Sequence, residues 1–316
     1  MILTITMNAA IDKRYVTSGA KQGEVNRVLQ CEYTPGGKGL NVSKVLRIAG
    51  ADVLAGGFTG GYAGGYIEDK LKEKGIVCDF YHVRDESRSC VNIWDRETKQ
   101  QTEYLEPGFT VTKADIDGFL DQYKKQVQEV SLVAISGSVP KGADTDIYKE
   151  LIKIAKGDGK KVILDSSGEL LKQGLQAKPT LVKPNIDEIR MLTGKNCSDI
   201  DALAAAAKEI YKNGIAYVVV SLGGSGSLLV SSEGIFQAVI PKVKAENTVG
   251  CGDSMVAGFV LGLTEGLCSE KLLKKASAIS VASAMSRKTG HYEPELMKKF
   301  YKDIIINKID KEMKTC

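Results

Sequence analysis

The sequence predicts a doubly wound α/β fold, in which a mainly parallel sheet is flanked by helices and carries a small second β-sheet as a lid. Short β-branched runs alternate along the chain with longer segments of helical period, and this alternation is typical of parallel sheets with crossover helices. Several runs are apolar at consecutive positions, as expected of strands that are covered on both faces. At 316 residues, 43% hydrophobic and 26% charged, the chain has the composition of a globular protein with a sizeable core.

The main sheet is predicted from apolar runs that each end in a polar loop. The predicted strands are ILTITM (2–7), LVAIS (132–136), KVILDSS (161–167), TLVKPN (180–185) and AYVVVSL (216–222). Between them, residues 144–156 and 199–213 have apolar side chains at helical spacing and charged outer faces. Ligands bind at the carboxyl ends of the strands in such sheets, so the polar loops mark the expected site.

The lid is predicted from residues 12–34 and 88–106, where polar and apolar side chains alternate. This pattern favours antiparallel strands with one exposed face. The side chains expected on the apolar face include Val91, Ile93 and Leu105. We interpret residues 1–316 as a single domain with this sheet inserted into it, and the basic residues 308–316 as a solvated helix end.

Charge and cysteine content exclude several classes of protein. The net charge is +4, from 43 Lys and Arg against 39 Asp and Glu, and the scattered basic residues argue against a nucleic-acid partner. The seven cysteines form no CxxC pair, and with two histidines in the whole chain a zinc site is not expected. The odd cysteine count and the absence of a secretion signal predict a cytoplasmic protein with reduced thiols. No apolar run approaches the roughly 20 residues of a membrane span.

Two glycine-rich loops, PGGKGLN (35–41) and TVGCGD (248–253), fit neither common phosphate-binding pattern. The first lacks the Ser or Thr that must follow the lysine of a P-loop, and the second lacks the glycine spacing of the dinucleotide fingerprint. The second loop runs into the apolar segment SMVAGFVLGL, which predicts a helix beginning near Gly252. Gly250 and Gly252 allow several backbone N–H groups to point at one spot beside the helix dipole, which makes an anion site.

Asp253 at the start of this helix has two interpretations. It could be an N-cap, since Asp accepts hydrogen bonds from unpaired N–H groups at helix starts. Alternatively, it could hold a hydroxyl that attacks a transferring phosphoryl group, because a carboxylate has no use in a site that only binds an anion. In that second interpretation we expect the helix dipole to lower the pKa of Asp253.

The chain resembles the PfkB, or ribokinase-like, carbohydrate kinases. The resemblance rests on five segments in the family's order, PGGKGLNVS, SGSVP (136–140), DSSG (165–168), KPNIDE (183–188) and NTVGCGDSMVAGF. It covers essentially the whole chain, and within the family it is nearest to the kinases of phosphohexoses. One departure is Cys251, where the family usually has a small residue such as Ala, and it suggests a site that is sensitive to thiol reagents.

The resemblance implies roles for individual residues. The expected catalytic residues are the base Asp253 and the anion-hole residues Gly250, Cys251 and Gly252. The sugar is expected to contact Asp12, Gly37, Lys38 and Asn41, and its existing phosphate to contact Arg27, Arg88 and Ser138. The nucleotide and its magnesium ion are expected to contact Lys183, Asn185, Glu188, Ser221, Gly223, Gly224, Gly226, Thr248 and Val249. Glu188 is the expected metal-site residue.

Plain structural roles remain as alternatives for several of these residues. Asp12 could be a turn residue, Arg27 and Arg88 could be solvated, and Glu188 could lie in the first turn of a helix. Two lid arginines are of no use to a kinase of free sugars, because guanidinium groups suit phosphate.

The expected activity is therefore the ATP- and Mg²⁺-dependent phosphorylation of a hexose monophosphate. Fructose 1-phosphate is the first choice of substrate, because the residues of the motifs GGKGLNVS and GDSMVAGF favour it. Tagatose 6-phosphate and fructose 6-phosphate are the alternatives. A non-catalytic binding protein with the same fold is a remote alternative to the kinase interpretation, and a dehydrogenase is a poor alternative. By resemblance we also expect a homodimer joined through the lid.

Overall fold

A computed structural model of the protein describes residues 1–310. Its strands are β1 Ile2–Thr6, β2 Ala10–Thr17, β3 Gln30–Gly36, β4 Val53–Gly60, β5 Val77–Cys78, β6 Tyr81–Val83, β7 Arg88–Asp95, β8 Gln100–Leu105, β9 Leu132–Ser136, β10 Lys161–Asp165, β11 Leu181–Val182, β12 Tyr217–Ser221, β13 Ser227–Ser231, β14 Gly234–Val239 and β15 Ile305–Asp310. Its helices are α1 Lys38–Ile48, α2 Gly61–Lys72, α3 Lys113–Gln128, α4 Ile147–Gly157, α5 Gly168–Leu175, α6 Ile186–Thr193, α7 Ile200–Lys212, α8 Cys251–Thr264, α9 Ser269–Ala284 and α10 Pro294–Asp303.

The main sheet has the strand order β15-β14-β13-β12-β11-β10-β9-β1-β4-β5, with β6 beside β4. From β12 to β5 its neighbours pair in parallel, and an antiparallel meander of β13, β14 and β15 extends one end. The five strands predicted from apolar runs are all present, as are the two predicted helices. The doubly wound α/β prediction is confirmed.

Apolar side chains cover both faces of the main sheet, because successive residues of a strand point to opposite faces. On β1, Ile2 packs into one core layer and Leu3 into the other. The first layer includes α1, α8 and α9, and the second includes α3, α4 and α7. Among the described residues, no helix combines the length and apolar character that a membrane span requires.

The lid is a separate four-stranded sheet in the order β3-β2-β7-β8. Its two outer pairs are antiparallel, as predicted, but the central pair of β2 and β7 is parallel. The prediction of purely antiparallel strands was therefore wrong, because β2 and β7 are distant in sequence and no hairpin turn joins them. Asp95 at the far end of β7 accepts hydrogen bonds from the N–H groups of Ala20 and Thr98 and from the Thr17 hydroxyl. These bonds join the tips of β2 and β7.

The lid has one charged face and one apolar face. Residue pairs across its strands place Cys90 beside Leu105, and Val91 beside Tyr104. Directly opposed residues share a face, so Val91 and Ile93 lie on one face and Leu105 on the other. The expectation that these three share a face was wrong, because the register between β7 and β8 depends on the length of their turn. Leu105 and Cys90 line a cavity, and part of Val91 also reaches it.

The prediction of a helix end at the basic tail was also wrong where the structure tests it. Ile305–Asp310 forms β15, an edge strand antiparallel to β14. Residues 311–316 lie outside the described residues.

Candidate active site

A cavity of about 830 Å³ opens at the carboxyl ends of the parallel strands, beneath the lid. Its floor includes residues at or just beyond the ends of β1, β9 and β10, and its walls include the first residues of α1 and α8 and the charged face of the lid. The volume is within the usual range for sites that enclose small metabolites. The cavity therefore lies where the fold predicts a ligand site.

Helix α8 begins at this cavity without a side-chain cap. Its N-cap residue is Gly250, with a φ of 80°, and no side chain hydrogen-bonds to the free N–H groups of the first turn. A Cβ at Gly250 would lie 2.8 Å from the Thr289 side chain, so both the backbone conformation and the close packing require glycine. The uncapped N–H groups and the helix dipole make this turn suitable for binding an anion.

Asp253 is not the N-cap of α8, since it is the third residue of the helix. Its carboxylate is buried and accepts a hydrogen bond of 2.8 Å from Asn41 Nδ2. Burial raises the pKa of Asp253 to about 6, the nearby Asp165 carboxylate adds to the rise, and Lys38, Asn41 and Lys183 oppose it. The expectation of a lowered pKa was wrong, because desolvation of the buried carboxyl outweighs the neighbouring groups that lower its pKa. A carboxylate with a pKa near 6 is a better proton acceptor at neutral pH.

Asp165 is a charged residue of the cavity lining that was not predicted from the sequence. It ends β10 and lies between two lysines, with Lys183 Nζ at 3.1 Å and Lys38 Nζ at 3.4 Å. Burial raises the pKa of Asp165, but the two ammonium groups outweigh burial and hold the pKa below its usual value. A Cβ at Gly252 would lie 3.5 Å from Lys183 Nζ. Asp165 therefore holds two cations beside the uncapped first turn of α8.

All of the residues predicted to contact the sugar or its phosphate, except Arg27, line the cavity. The structure places Asp12, Gly37, Lys38, Asn41, Arg88 and Ser138 along its lining. Arg88 Nε donates to the Asn8 carbonyl at 3.2 Å, and Nη1 donates to the Glu106 carbonyl at 3.1 Å. These two bonds fix the guanidinium at the junction between lid and main sheet, and they leave Nη2 for a ligand. Burial raises the pKa of Asp12, and the positive charges of Lys44 and Arg88 oppose that rise.

Arg27 does not line the cavity of its own chain. It lies in the exposed stretch between β2 and β3. Its role toward a substrate phosphate therefore stays a prediction.

The residues predicted to contact the nucleotide divide into two groups. Lys183, Asn185, Glu188, Ser221, Thr248 and Val249 line the cavity together with Gly250 and Gly252. Gly223, Gly224 and Gly226 do not; they form a turn just after β12. A Cβ at Gly226 would lie 2.0 Å from the Ala238 carbonyl oxygen, which gives that glycine a structural role.

Cys251 is the first residue of α8 and does not line the cavity either. Burial raises the pKa of its thiol to about 11, and the neighbouring Asp253 adds to the rise. This argues against the expected thiol sensitivity, because the thiolate is the reactive form.

Asn185 and Glu188 form a reciprocal capping box at the start of α6. Glu188 N donates to Asn185 Oδ1 at 2.8 Å, and Asn185 N donates to Glu188 Oε2 at 2.9 Å. The structural alternative for Glu188 is thus present, and it leaves Oε1 free at the cavity. Within residues 1–310 no group of three or more His, Cys, Asp or Glu is arranged to hold a metal ion. Mg²⁺ in such sites is bound by one or two carboxylates, and phosphate oxygens and waters supply its other ligands. The single free carboxylate oxygen of Glu188 is therefore suited to this ion.

Several cavity residues were not predicted from the sequence. They are Thr6, Asn8, Ser136 and Asp165, and also Arg287, Lys288 and Thr289, which follow α9 and line the cavity. The DSSG segment was noted as a motif, and its position at the end of a strand could have pointed to Asp165.

Comparison with known proteins gives the family. A family model described as pfkB family carbohydrate kinase matches residues 3–296. The chain belongs to the pfkB family of carbohydrate kinases. Members of this family transfer a phosphoryl group from ATP to an alcohol group of a sugar. The family model spans the residues of every sequence segment on which the resemblance was based.

Individual relatives are similar over nearly the whole chain. Two tagatose-6-phosphate kinases from strains of Staphylococcus epidermidis are 39% identical to it over 307 residues, which is 96% of this chain and 98% of theirs. The structure of phosphofructokinase-2 from Escherichia coli in complex with fructose-6-phosphate matches with a TM-score of 0.87 and 28% identity, covering 96% of this chain and 98% of that one. A structure from Thermotoga maritima, described as a possible 1-phosphofructokinase, matches with a TM-score of 0.89 and 27% identity, covering 98% and 100%.

Proposed function

We propose that this carbohydrate kinase transfers the γ-phosphoryl group of ATP to a primary hydroxyl of a hexose monophosphate, with fructose 1-phosphate as its substrate and fructose 1,6-bisphosphate as product. The observation that carries the proposal is the buried Asp253 carboxylate, which lies at an uncapped helix start in the same cavity as Arg88. The first feature suits phosphoryl transfer, and the second suits an acceptor that already has a phosphate.

Asp253 takes the proton of the attacking hydroxyl in the proposed reaction. The hydrogen bond from Asn41 orients the carboxylate, and a pKa of about 6 keeps most of it ionised at neutral pH. The N–H groups at the start of α8 hold the transferring phosphoryl group, whose negative charge is spread over its oxygens. Lys183 and Lys38 lie beside this turn, paired to Asp165, and supply positive charge near the phosphates.

The position of Arg88 supports the proposal that the acceptor sugar already carries a phosphate. Its two hydrogen bonds to backbone carbonyls hold the guanidinium still, so little side-chain entropy is lost when Nη2 binds a phosphate oxygen. Asp12 lies near Arg88 on the same side of the cavity, where its carboxylate can accept hydrogen bonds from sugar hydroxyls.

Mg²⁺ accompanies ATP in the proposed reaction. Glu188 is the residue that would contact the ion or its waters through the carboxylate oxygen that the capping box leaves free. When bound, the ion neutralises charge on the phosphates of the nucleotide.

Tagatose 6-phosphate is the second candidate substrate. The 39% identity to tagatose-6-phosphate kinases favours tagatose 6-phosphate, whereas the residues of the two glycine-rich motifs favour fructose 1-phosphate. The deciding experiment measures kcat/KM of the purified protein with ATP and Mg²⁺ for fructose 1-phosphate, tagatose 6-phosphate, fructose 6-phosphate and unphosphorylated fructose. We expect the highest value for fructose 1-phosphate and a very low value for free fructose. A higher value for tagatose 6-phosphate would select the second candidate, and efficient use of free fructose would refute both.

We also propose a homodimer joined through the apolar face of the lid. That face carries Tyr33, Val91, Ile93 and Tyr104, and Tyr33 and Tyr104 are exposed in the single chain. Burying such side chains is favourable by about 25 cal/mol per Å² of apolar surface. Phosphofructokinase-2 from Escherichia coli, whose structure in a tetrameric inhibited form has a TM-score of 0.87 to this chain, is a related protein that associates.

The assembly is tested by light scattering on the wild type, on Ile93→Glu and on Met191→Glu. Met191 lies outside the lid and is exposed, so its variant controls for adding a charge to an apolar surface residue. We expect a dimer that Ile93→Glu weakens and Met191→Glu does not. A monomeric wild type at concentrations where it is fully active contradicts the proposal.

A further inference from the structure

A buried tyrosine of α4 is hydrogen-bonded to the turn that carries Ser138. The Tyr148 hydroxyl donates to the Gly137 and Ser138 carbonyl oxygens, which lie 3.1 Å and 3.3 Å from it. The side chain is fully buried, in the core layer that includes Ile135 of β9. Burial raises the pKa of Tyr148, and the nearby Asp165 adds to the rise, so the hydroxyl keeps the hydrogen that it donates.

This turn follows β9 and reaches the cavity, where Gly137 and Ser138 form part of the lining. Gly137 has a φ of 99°, which residues other than glycine rarely adopt. Its N–H donates to the Asp165 carbonyl at 3.0 Å, and its own carbonyl accepts a second hydrogen bond from Ser166 Oγ at 2.9 Å. The turn is therefore held by the residues at the end of β10 and by Tyr148.

Ser138 has two donors that remain for a ligand. The residue is exposed, and within residues 1–310 neither its N–H nor its Oγ is hydrogen-bonded to another group. The peptide bond between Gly137 and Ser138 is trans, so the Ser138 N–H points away from the carbonyl that Tyr148 binds. A backbone N–H and a hydroxyl can each donate to a phosphate oxygen.

We propose that Tyr148 is a positioning residue, whose hydroxyl holds the turn so that Ser138 donates to the phosphate that the acceptor sugar already carries. This assignment rests on the proposed function, since it requires a phosphorylated acceptor. Without the Tyr148 hydroxyl, the Gly137 carbonyl keeps its bond from Ser166, but the Ser138 carbonyl loses the bond that orients it. Groups that are displaced by as little as 1 Å recognise a substrate poorly, so Tyr148 acts on the phosphate through Ser138.

The test compares Tyr148→Phe with the matched control Tyr123→Phe. Tyr123 of α3 is fully buried in the same core layer, and its hydroxyl also donates to a backbone carbonyl, that of Leu151 at 3.1 Å, but it does not line the cavity. Each substitution removes one buried hydroxyl and keeps the ring. In Tyr148→Phe we expect KM for the best sugar phosphate to rise about fivefold, the effect of about 1 kcal/mol. In Tyr123→Phe it should not change, and KM for ATP should stay the same in both variants.

Melting temperatures separate positioning from a general loss of stability. Both variants lose one buried hydrogen bond, so we expect Tm to fall by a similar amount in both, about 2 °C. A rise in KM that is confined to Tyr148→Phe then cannot be caused by stability. An unchanged KM for the sugar phosphate in Tyr148→Phe, or an equal rise in Tyr123→Phe, would overturn the proposal and make Tyr148 a structural residue.

A double-mutant cycle with Ser138→Ala provides a readout that a structural role does not affect. If Tyr148 acts through Ser138, then Tyr148→Phe should raise KM for the sugar phosphate less in the Ser138→Ala background than in the wild type. The same fold-change in both backgrounds would overturn the assignment. A wild type that phosphorylates no sugar phosphate would refute the proposed function itself, whereas the inference alone fails when the wild type is active and its KM does not depend on Tyr148.

Discussion

Replacing Asp253 by Asn removes a proton-accepting carboxylate from the cavity while keeping its shape. The Asn41 amide can still donate to the new side chain, because it now donates to Asp253 Oδ2 over 2.8 Å. The change therefore isolates proton transfer from packing. General base catalysis contributes about 10²–10⁴-fold to a rate, so we expect kcat to fall by about 100-fold or more with little change in ATP affinity.

The same variant should not be less stable than the wild type at neutral pH. The pKa of Asp253 is raised from 3.8 to about 6, so between these two pH values the folded chain holds a proton that the unfolded chain has lost. Folding stability from this group thus falls as pH rises from 3.8 to 6 and stays lower above that range. At about 1.4 kcal/mol per pH unit, ionised Asp253 opposes folding by about 3 kcal/mol, an upper bound for the gain on substitution by Asn.

Three measurements test these expectations. Steady-state turnover with a coupled assay for ADP gives kcat, calorimetry gives ATP affinity, and thermal unfolding at pH 7 gives Tm. In the wild type, kcat/KM should fall as pH drops through about 6. The slope of log kcat/KM against pH should be that of a single protonation. Near-normal turnover of Asp253→Asn, or a wild-type profile that is flat from pH 5 to 8, would refute the assignment of Asp253 as the base.

Further predictions follow from the other charged groups of the site. Arg88→Ala should raise KM for the sugar phosphate about tenfold or more without changing KM for ATP, while Arg96→Ala, on the same hairpin but outside the cavity lining, should change neither. Asp165→Asn should shift the acid limb of the pH–rate profile to lower pH, because it removes a negative charge that raises the pKa of Asp253; an unshifted limb would contradict this. Glu188→Gln keeps the capping box and should leave Tm unchanged. It should raise the Mg²⁺ concentration for half-maximal activity about tenfold. An unchanged Mg²⁺ requirement would contradict the role of Glu188 at the metal site. The Cys251 thiol, with a pKa of about 11, should react with a thiol reagent at pH 7 more slowly than the exposed Cys31, as followed by mass spectrometry, and faster reaction would contradict the structure.

The main sheet was predictable because its signal is local. An apolar run such as LVAIS defines a buried strand by itself, and the polar loop after it marks the edge of the sheet where ligands bind. The glycine-rich start of α8 was predictable for the same reason, since Gly250, Gly252 and Asp253 are neighbours in sequence. The family resemblance then added residues such as Asn41, whose contact with Asp253 spans more than two hundred residues of chain.

What the sequence could not supply depends on pairings between distant segments. Thr6, Ser136 and Asp165 form a row only because β1, β9 and β10 are adjacent and in a particular register. The opposite orientations of Ile93 and Leu105 follow from the register of β7 with β8. The sign of the Asp253 pKa shift depends on the depth of burial, which the position of a residue within its helix does not reveal.

Several features of the cavity, including the residue proposed as the base, are unfavourable for the fold in the absence of ligand. Helix α8 begins without a side-chain cap, Asp253 is ionised where burial disfavours charge, and Thr6 and Ser136 are buried without partners. An anion at the helix start and the proton of a hydroxyl would supply partners for the first two, as the proposed phosphoryl transfer requires. Local rules that fail together at one place mark a functional site, and the kind of partner that each group lacks indicates what binds there.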